Sequence, residues 1–395
     1  MVNSVKFNYN NKNTISGGIF REILFYITLI VIFVRRYSIL ILSEDSPVLS
    51  IMPKLFYLSA VLLLIIFLLK KNYNKFEIIF LAISGVLYVL TKEGSILFIA
   101  LLASAISGIE DSKVTKIYMI ITAVFVIACM IFSCFYPELT QAGAASYRLV
   151  DNQYVLRDTF GFGNPNTMYI VALPILTGYI FLRYDSYNWI DRIVLFATTI
   201  FIYIITMSRT GFMTMIFGLF FVEILKFCEK TSKKTLKKII LEVSKFTPLI
   251  LTAISVLIAK IFASNVLFNK MLSSRPKFWN KYISENGSLF TLFGNKFDAS
   301  IKSTFPLDSS YIYIVAVMGL IALVLFVVIY YFGIDIFVKE NNYKYIAIAM
   351  IFLIYSFAEN IIFEVAFNFT IIILIKHLID IDKNRFSIKD LLSRR

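Results

Sequence analysis

The sequence predicts an all-α polytopic membrane protein with about twelve transmembrane helices. The chain has 395 residues, of which 59% are hydrophobic and only 16% are charged, a composition typical of membrane-spanning helices and foreign to soluble domains. The apolar residues form long continuous runs instead of the alternating pattern of a membrane β-barrel. Many of these runs approach about 20 residues, the length that crosses a bilayer. Residues 1–395 are therefore predicted to form one integral membrane domain.

Twelve apolar runs define the predicted spans, after a polar tail over residues 1–18. The runs lie at approximately 19–34, 51–69, 76–90, 94–109, 115–135, 167–183, 190–207, 211–226, 246–264, 309–332, 344–358 and 361–379. The polar pair Glu359-Asn360 separates the last two runs. Because such groups need water or protein partners at membrane depth, the pair predicts a tight hairpin.

The positive charges predict the orientation of the spans. With the N-terminus inside, 25 of the 39 Lys and Arg residues fall in inner segments, so both termini are predicted to be cytoplasmic. The basic segment Lys226–Lys245 is the strongest anchor and is typical of a loop that faces anionic lipids. The net charge of +14 is read as this topology signal, and nucleic-acid binding is the poorer interpretation.

Two outer connections are long, at residues 136–166 and 265–308. Loops above about 12–15 residues in a compact protein are usually functional or disordered. These two carry aromatic side chains that favour burial, namely Phe160, Phe162, Phe278, Trp279, Tyr282, Phe290, Phe293 and Phe297. The pattern predicts two structured outer loops that form a site at the outer membrane face.

The first outer loop supplies two candidate anion ligands, Arg148 and Arg157. Arginine presents a rigid, permanently charged fork to phosphate, although pairing with aspartates of the same loop would equally explain both residues. The run Gly-Phe-Gly-Asn-Pro-Asn follows at 161–166. Asn164 and Asn166 are candidate substrate ligands, and Asn166 is predicted to cap the next helix, which is also the plain structural explanation of the run.

Arg209 lies in Ser208-Arg209-Thr210-Gly211, between two apolar runs. At the bilayer centre an arginine costs about 2.5–3.5 kcal/mol on insertion scales, so it must lie at an interface or in a wet cavity. On the outer face, where a positive-inside protein carries few cations, the residue suggests an anion site. The alternative is an interfacial anchor whose charge reaches the headgroups.

The second outer loop supplies Arg275 near its start and Asp308 at its end. Arg275 is a further candidate anion ligand, with Trp279 one helical turn later. Asp308 begins the next span, where it is either a helix cap or a buried carboxylate that faces the site. Tyr311 follows one turn after it. Trp279 and Tyr311 are candidate substrate ligands, because aromatic side chains could stack on sugar rings.

A general base on the outer face would have to be a carboxylate. His377, the only histidine, falls near the cytoplasmic end and is predicted to be structural. The candidates are Asp308, together with Glu359 and Glu364 at the outer turn of the last hairpin. No metal-ligand spacing, phosphate loop or nucleotide-binding domain is visible in the sequence.

Four motifs occur here in a characteristic order. They are Gly-x-x-Asn-Pro-Asn at 161–166, Ser-Arg-x-Gly at 208–211, Arg-x-x-x-Trp at 275–279, and Asp-x-x-Tyr at 308–311 followed by Gly319. From Arg148 to Gly319 the chain resembles the O-antigen polymerase/O-antigen ligase superfamily, which comprises Wzy-type polysaccharide polymerases and WaaL-type ligases. Outside that region the resemblance rests on the number of spans.

The resemblance implies a GT-C-like glycosyltransferase that needs neither metal nor cofactor. Its substrate would be an undecaprenyl-pyrophosphate-linked glycan at the outer face of the bacterial plasma membrane, and a chain-length co-polymerase would be a partner. By position in the motifs, Arg209, Arg275 and Asp308 would be the catalytic residues. Arginines in a water-restricted pocket can stabilise a pyrophosphate leaving group, an effect commonly worth about 3–4 kcal/mol per donor.

Three alternatives remain open at this stage. Ligases of the superfamily use a histidine in the second long loop, and its absence here favours a polymerase over a ligase-type transferase. A lipid-linked glycan flippase would have a similar number of spans but usually shorter loops. A transferase that uses polyprenyl-monophosphate sugars would need a carboxylate in the first short outer loop, where Glu44-Asp45 lies, although a solvated turn explains that pair as well.

Overall fold

The computed structural model of the protein describes residues 12–70, 72–141, 146–150, 153–285 and 289–381. The predicted polar tail falls mostly outside these ranges, and the first helix already begins at Lys12 instead of residue 19. The helices are α1 (Lys12–Ile41), α2 (Met52–Leu68), α3 (Lys75–Thr91), α4 (Ser95–Ala105), α5 (Asp111–Phe135), α6 (Pro165–Arg183), α7 (Trp189–Thr206), α8 (Arg209–Lys230), α9 (Lys234–Ile261), α10 (Val266–Met271), α11 (Arg275–Ser284), α12 (Ala299–Thr304), α13 (Ser310–Tyr313), α14 (Leu320–Lys339), α15 (Tyr343–Tyr355) and α16 (Phe369–Ile381).

The helical membrane class is confirmed at the level of length and composition. Within the described residues, eight helices are long and apolar enough to cross a membrane. Every predicted apolar run contains a helix, but α4, α15 and α16 are shorter than a bilayer crossing requires. The total of twelve spans therefore stays a prediction. One element departs from the all-α expectation, since β1 (Ser146–Val150) and β2 (Gln153–Arg157) form an antiparallel hairpin in the first outer loop.

Burial differs sharply between the centre and the periphery of the bundle. Almost every residue of α15 and most of α16 are buried, and α4 is equally enclosed. By contrast, α2 and α5 expose large apolar side chains, which include Leu58, Val61, Leu64, Ile120, Val124 and Ile127. An apolar surface of this extent suits hydrocarbon and not water. The short central helices are thus shielded by longer helices that are themselves suited to lipid.

The predicted end of α8 and the predicted start of α9 are wrong. The segment Lys226–Lys245 is not a loop, because α8 continues to Lys230 and α9 begins at Lys234. Lys245 lies inside α9, where its ammonium contacts Asp335 at 2.7 Å. The lysine-rich segment contains the start of an amphipathic helix. The face of this helix that carries few lysines is buried against the bundle.

The predicted tight hairpin at Glu359-Asn360 is also wrong. α15 ends at Tyr355 and α16 begins only at Phe369, so residues 356–368 form a long buried connection, called here the 356–368 turn. Several of its polar atoms are bound within the protein: the Asn368 side chain donates to the Ile362 carbonyl at 2.8 Å, and its oxygen accepts from Thr370. Non-helical backbone at membrane depth is tolerated where such partners exist.

The predicted span at 309–332 is broken instead of continuous. α13 ends at Tyr313, a π-helical turn covers residues 314–318, and Gly319 has a φ of +89° before α14 begins. The loop of residues 291–295 covers the break, with Leu320 N–H donating to the Thr291 carbonyl and Asn295 N–H donating to the Ala316 carbonyl, both at 2.8 Å. A Cβ on Gly319 would also clash with this loop, so glycine is required there on two grounds.

Segments predicted to lie on one side of the membrane contact each other in the structure. At the end called here the outer end, Arg157 contacts Thr206 and Arg36 contacts Glu364. At the other, inner end, Asp111 accepts from Lys376 at 2.6 Å and lies 2.7 Å from His377. The Tyr345 hydroxyl also donates to Asp111 at 2.6 Å. This buried cluster agrees with a structural role for His377.

The orientation of the outer end is testable by cysteine labelling. Cys134 is the exposed native cysteine and would be replaced by serine before new cysteines are introduced. We expect Ser146→Cys, in β1, to react with an impermeant maleimide added to intact cells. The matched control, Ser232→Cys between α8 and α9, should react only after the membrane is opened. The reverse pattern would invert the bundle and remove the basis for an outer-face site.

Candidate functional site

Three arginines converge on one short turn at the outer end, residues 206–210 between α7 and α8. Arg157, at the end of β2, donates through Nε to the Thr206 carbonyl at 2.8 Å. Arg209 lies within the turn as the first residue of α8. Arg275, the first residue of α11, donates through Nη1 to the Thr210 hydroxyl at 2.9 Å. The structure thus brings together candidates that lie up to 118 positions apart in the sequence.

Arg275 is buried, and most of its guanidinium N–H groups are bound within the protein. Besides Thr210, its Nε donates to the Ala358 carbonyl at 3.2 Å. Its Nη2 lies 3.1 Å from a carboxylate oxygen of Asp308 and 3.1 Å from one of Glu359. The planar fork of arginine suits such a multiple contact. Arg275 therefore connects the 206–210 turn, the start of α13 and the 356–368 turn.

Asp308 and Glu359 share one guanidinium nitrogen but differ in exposure. About 30% of the Asp308 side-chain surface is exposed, whereas Glu359 is buried. Burial raises the pKa of the Glu359 carboxyl to about 8, and the positive charge of Arg275 only partly opposes this. Burial also raises the pKa of Asp308, again opposed by Arg275. Both carboxyl groups therefore release their protons at a higher pH than isolated carboxyl groups do, in spite of the nearby guanidinium.

Asp308 is not a helix cap, which settles one of the two sequence-based interpretations. Ser309 occupies the N-cap position of α13, and Asp308 precedes it. Ser310, which the sequence analysis did not single out, fixes the opposite side of the site. Its hydroxyl donates to the Glu359 carbonyl at 3.0 Å and accepts from the N–H groups of Ile361 and Ile362. Ser310 thereby holds the 356–368 turn and, with it, the Glu359 side chain.

The predicted helix cap in the first outer loop is assigned to the wrong asparagine. Asn164, not Asn166, is the N-cap of α6, where its side chain accepts from the Asn166 N–H at 2.9 Å. The Asn166 side chain accepts instead from the Ser208 hydroxyl at 2.7 Å. Asn166 therefore joins the start of α6 to the 206–210 turn and orients the segment that carries Arg209.

Trp279 and Tyr311 lie in the core and not on a binding surface. Trp279 is fully buried and packs edge-to-face on Phe357, with ring centroids 5.5 Å apart. The Tyr311 hydroxyl donates to the Leu353 carbonyl at 2.7 Å. Neither position suits the predicted contact with a sugar ring, because each ring is enclosed by protein. Both residues instead anchor their helices to α15 and the turn that follows it.

The remaining candidates differ in their exposure and in their partners. Arg209 is exposed and has no ion pair or hydrogen bond within the described ranges. Glu364 does not join the Arg275 cluster, since it pairs with Arg36 at 3.2 Å. Arg148 lies in β1, and its side chain is outside the described part of the structure. Glu44-Asp45, the pair required by the monophosphate-sugar alternative, is exposed in a short turn.

The buried carboxyl of Glu359 predicts a pH dependence of stability. An ordinary glutamate releases its proton near pH 4.5, whereas folded Glu359 retains it to about pH 8. Between these values folding takes up a proton, so stability is full below pH 4.5 and is lost as the pH rises towards 8. We expect Glu359→Gln to flatten this part of the pH profile, measured by thermal unfolding in detergent. An unchanged slope would show that Glu359 is ionised in the folded protein.

Comparison of the chain with protein-family models, curated proteins and solved structures finds no match.

Proposed function

We propose that this protein is a polysaccharide polymerase that acts at the outer face of the plasma membrane. It would be a glycosyltransferase that joins oligosaccharide repeats linked to undecaprenyl pyrophosphate. The observation that carries the proposal is the pairing of Asp308 and Glu359 with buried Arg275, beside an unpaired Arg209 at the same end of the bundle. A carboxylate can accept the proton of the attacking hydroxyl, and a free guanidinium can stabilise the leaving pyrophosphate, which are two tasks in glycosyl transfer from a pyrophosphate.

In the proposed reaction, an acceptor hydroxyl attacks the anomeric carbon of the donor glycan. The new glycosidic bond forms as the bond between that carbon and the pyrophosphate oxygen breaks, so the lipid pyrophosphate leaves with the bonding electrons. Asp308 accepts the hydroxyl proton, because it is the more exposed carboxylate of the pair. Arg209 faces the charge that develops on the leaving pyrophosphate.

Arg275 has a positioning role in this scheme. Its contacts to Thr210, Ala358 and the two carboxylates leave little of the guanidinium for a substrate. Its positive charge opposes the rise that burial causes in the pKa of Asp308, and its contacts fix the distance between Asp308 and the 206–210 turn. The earlier assignment of Arg275 as a direct phosphate ligand is therefore replaced by one in which Arg209 is that ligand and Arg157 supports the turn.

The same proposal includes the cellular setting. The protein would reside in the bacterial plasma membrane with both termini cytoplasmic, take up its lipid-linked substrates at the outer face and work with a chain-length co-polymerase. Ligase-type transfer and lipid-linked glycan transport are the competing functions. The exposed position of Glu44-Asp45 disfavours a transferase of the monophosphate-sugar type, because nothing in the described structure shields that pair from solvent.

Incubation of the purified protein with a lipid-pyrophosphate-linked repeat unit tests the function directly. We expect a ladder of products that differ by one repeat, formed in the presence of EDTA and without a nucleotide. The control reaction contains the Asp308→Asn protein at equal concentration. Transfer of a single glycan to a lipid A-type acceptor would indicate a ligase instead. Glycan movement across vesicles without any bond formation would indicate a transporter.

Arg209→Lys is expected to lose most polymerase activity while folding normally. Lysine is a compact point charge and cannot present two parallel N–H groups to a phosphate. Because Arg209 is exposed and makes no contact within the described ranges, its replacement should leave the unfolding temperature unchanged. The control is Arg192→Lys, an exposed arginine at the inner end of α7 that pairs with Glu223. Full activity of Arg209→Lys would reduce Arg209 to an interfacial anchor.

A further inference from the structure

A second group of cations surrounds a cavity that the 356–368 turn also borders. The cavity has a volume of about 350 Å³ and is bounded by α1, α2, the turn between α3 and α4, and the 356–368 turn. Arg35, Arg36 and Lys92 contribute its positive charges, and Glu93 and Glu364 its negative ones. Glu359 and Asn360 are adjacent in the chain, so the cavity and the Arg275 cluster share one turn.

The two acids of the cavity already have partners. Glu364 pairs with Arg36 at 3.2 Å, and Glu93 lies beside the Tyr313 hydroxyl. Arg35 and Lys92 have no carboxylate within ion-pair distance in the described ranges. With three cations and two carboxyl groups in its lining, the cavity carries a net positive charge in a place partly shielded from water.

Arg35 is held in position without using its N–H groups. Its guanidinium lies 5.2 Å from the centre of the Phe56 ring, a cation–π contact that leaves the in-plane donors free. Its Nε is buried and, within the described ranges, has no hydrogen-bond partner. An unsatisfied buried donor of this kind is costly unless a ligand supplies the acceptor.

The remaining lining combines apolar side chains with the polar residues Ser59, Ser95 and Asn360. Ile32, Phe56, Phe98, Phe363 and Val365 form the walls, and α2 exposes Leu58 and Val61 on its outer surface. Cations above an apolar wall suit a phosphate group that is attached to a hydrocarbon chain. A free anion, by contrast, would bind to the cations and would make no use of the apolar wall.

We propose that this cavity binds the pyrophosphate group of the second lipid-linked substrate, the acceptor. The proposal rests on the proposed function, because a polymerase must hold two lipid-linked molecules at once. Arg35 and Lys92 bind the phosphate oxygens, the apolar walls contact the first isoprene units, and the glycan extends across the 356–368 turn towards Asp308. The donor pyrophosphate lies at Arg209 on the opposite side of the same turn.

Binding stoichiometry in detergent tests the site without relying on catalysis. Native mass spectrometry of the whole protein with undecaprenyl pyrophosphate should show two bound molecules. Arg35→Gln combined with Lys92→Gln should retain one and weaken the other about 10- to 100-fold, as expected for loss of charge-assisted hydrogen bonds. The matched control is Lys54→Gln, an exposed cation on the outer part of α2 that does not line the cavity.

Two further probes identify the source of the phosphate. Inorganic pyrophosphate should compete only weakly, and phosphatidylglycerol should not displace the polyprenyl lipid. Equal binding of inorganic pyrophosphate, or of phosphatidylglycerol, would overturn the assignment to a polyprenyl lipid. Two bound molecules in the Arg35→Gln, Lys92→Gln protein would overturn the site itself. If the wild-type protein binds two molecules but forms no polymer, the proposed function fails while the lipid site stands.

Discussion

Asp308→Asn is expected to lower the rate of polymer formation about 10²–10⁴-fold, the usual contribution of a general base. The amide is nearly the same size as the carboxylate but cannot accept the proton of the acceptor hydroxyl. Asp308 is suited to this task because it is partly exposed while its neighbour Glu359 is buried, and because Arg275 at 3.1 Å stabilises its charged form. Initial rates and donor binding would be measured separately, with donor binding retained.

The control for this variant is Asp298→Asn, an exposed aspartate at the start of α12 in the same outer loop. It should polymerise at the wild-type rate. In the Asp308→Asn protein, Arg275 has only Glu359 as a carboxylate partner, so the pKa of Glu359 should fall and any residual rate should follow its titration. A wild-type rate for Asp308→Asn would mean that departure of the leaving group, assisted by the arginines, carries the catalysis.

Local sequence patterns predicted a helix well where its environment depends little on contacts with distant segments. The apolar runs identified all the helices that cover the bundle, and the turn signals placed the start of α6 within two residues. The Lys226–Lys245 segment failed because periodicity is hard to see among many lysines, although Leu241 and Ser244 are buried on one face. Burial of that face depends on contacts with α14, which one segment cannot reveal.

The site was predictable only in part, for a similar reason. Arg209, Arg275, Asp308 and Glu359 stand out as charges at the ends of apolar runs, and the structure brings the last three into contact. The sequence could not show that Arg275 donates its N–H groups to acceptors within the protein, because these contacts involve the backbone carbonyl of Ala358 and the side chain of Thr210. Trp279 illustrates the reverse error, because an aromatic residue in a loop can equally be part of the core.

Arg35 and Arg36 carried a signal that the sequence analysis did not use. Two adjacent arginines follow an apolar run on the side predicted to be outer, which is the same anomaly that drew attention to Arg209. Glu364, which pairs with Arg36, and Lys92, which lines the same cavity, lie in separate hairpins that only the tertiary structure brings together. A search for outer cations at every span junction, and not at one, would have found them.

Arg275→Met is expected to have the largest effect on stability, about 3–5 kcal/mol, as is usual when one partner of a buried ion pair is removed. The substitution keeps an unbranched side chain of similar length but leaves Asp308 without its cation and Glu359 without its guanidinium donor. It also removes the donors to the Ala358 carbonyl and the Thr210 hydroxyl, which hold three segments together. Unfolding in detergent would be compared with that of Lys281→Met on the same helix, whose exposed pair with Glu285 should contribute at most about 1 kcal/mol.

A second substitution separates loss of charge balance from loss of packing. With Glu359→Gln added to Arg275→Met, the buried group no longer titrates, so the stability that a protonated buried carboxyl loses above pH 4.5 should return. The double variant should still be inactive, because Asp308 no longer has the guanidinium that positions it. If the double variant is no more stable than Arg275→Met, the contacts to Ala358 and Thr210 dominate, and Arg275 acts mainly as a brace between the 206–210 and 356–368 turns. If the double variant polymerises normally, the Arg275 cluster is not part of the active site.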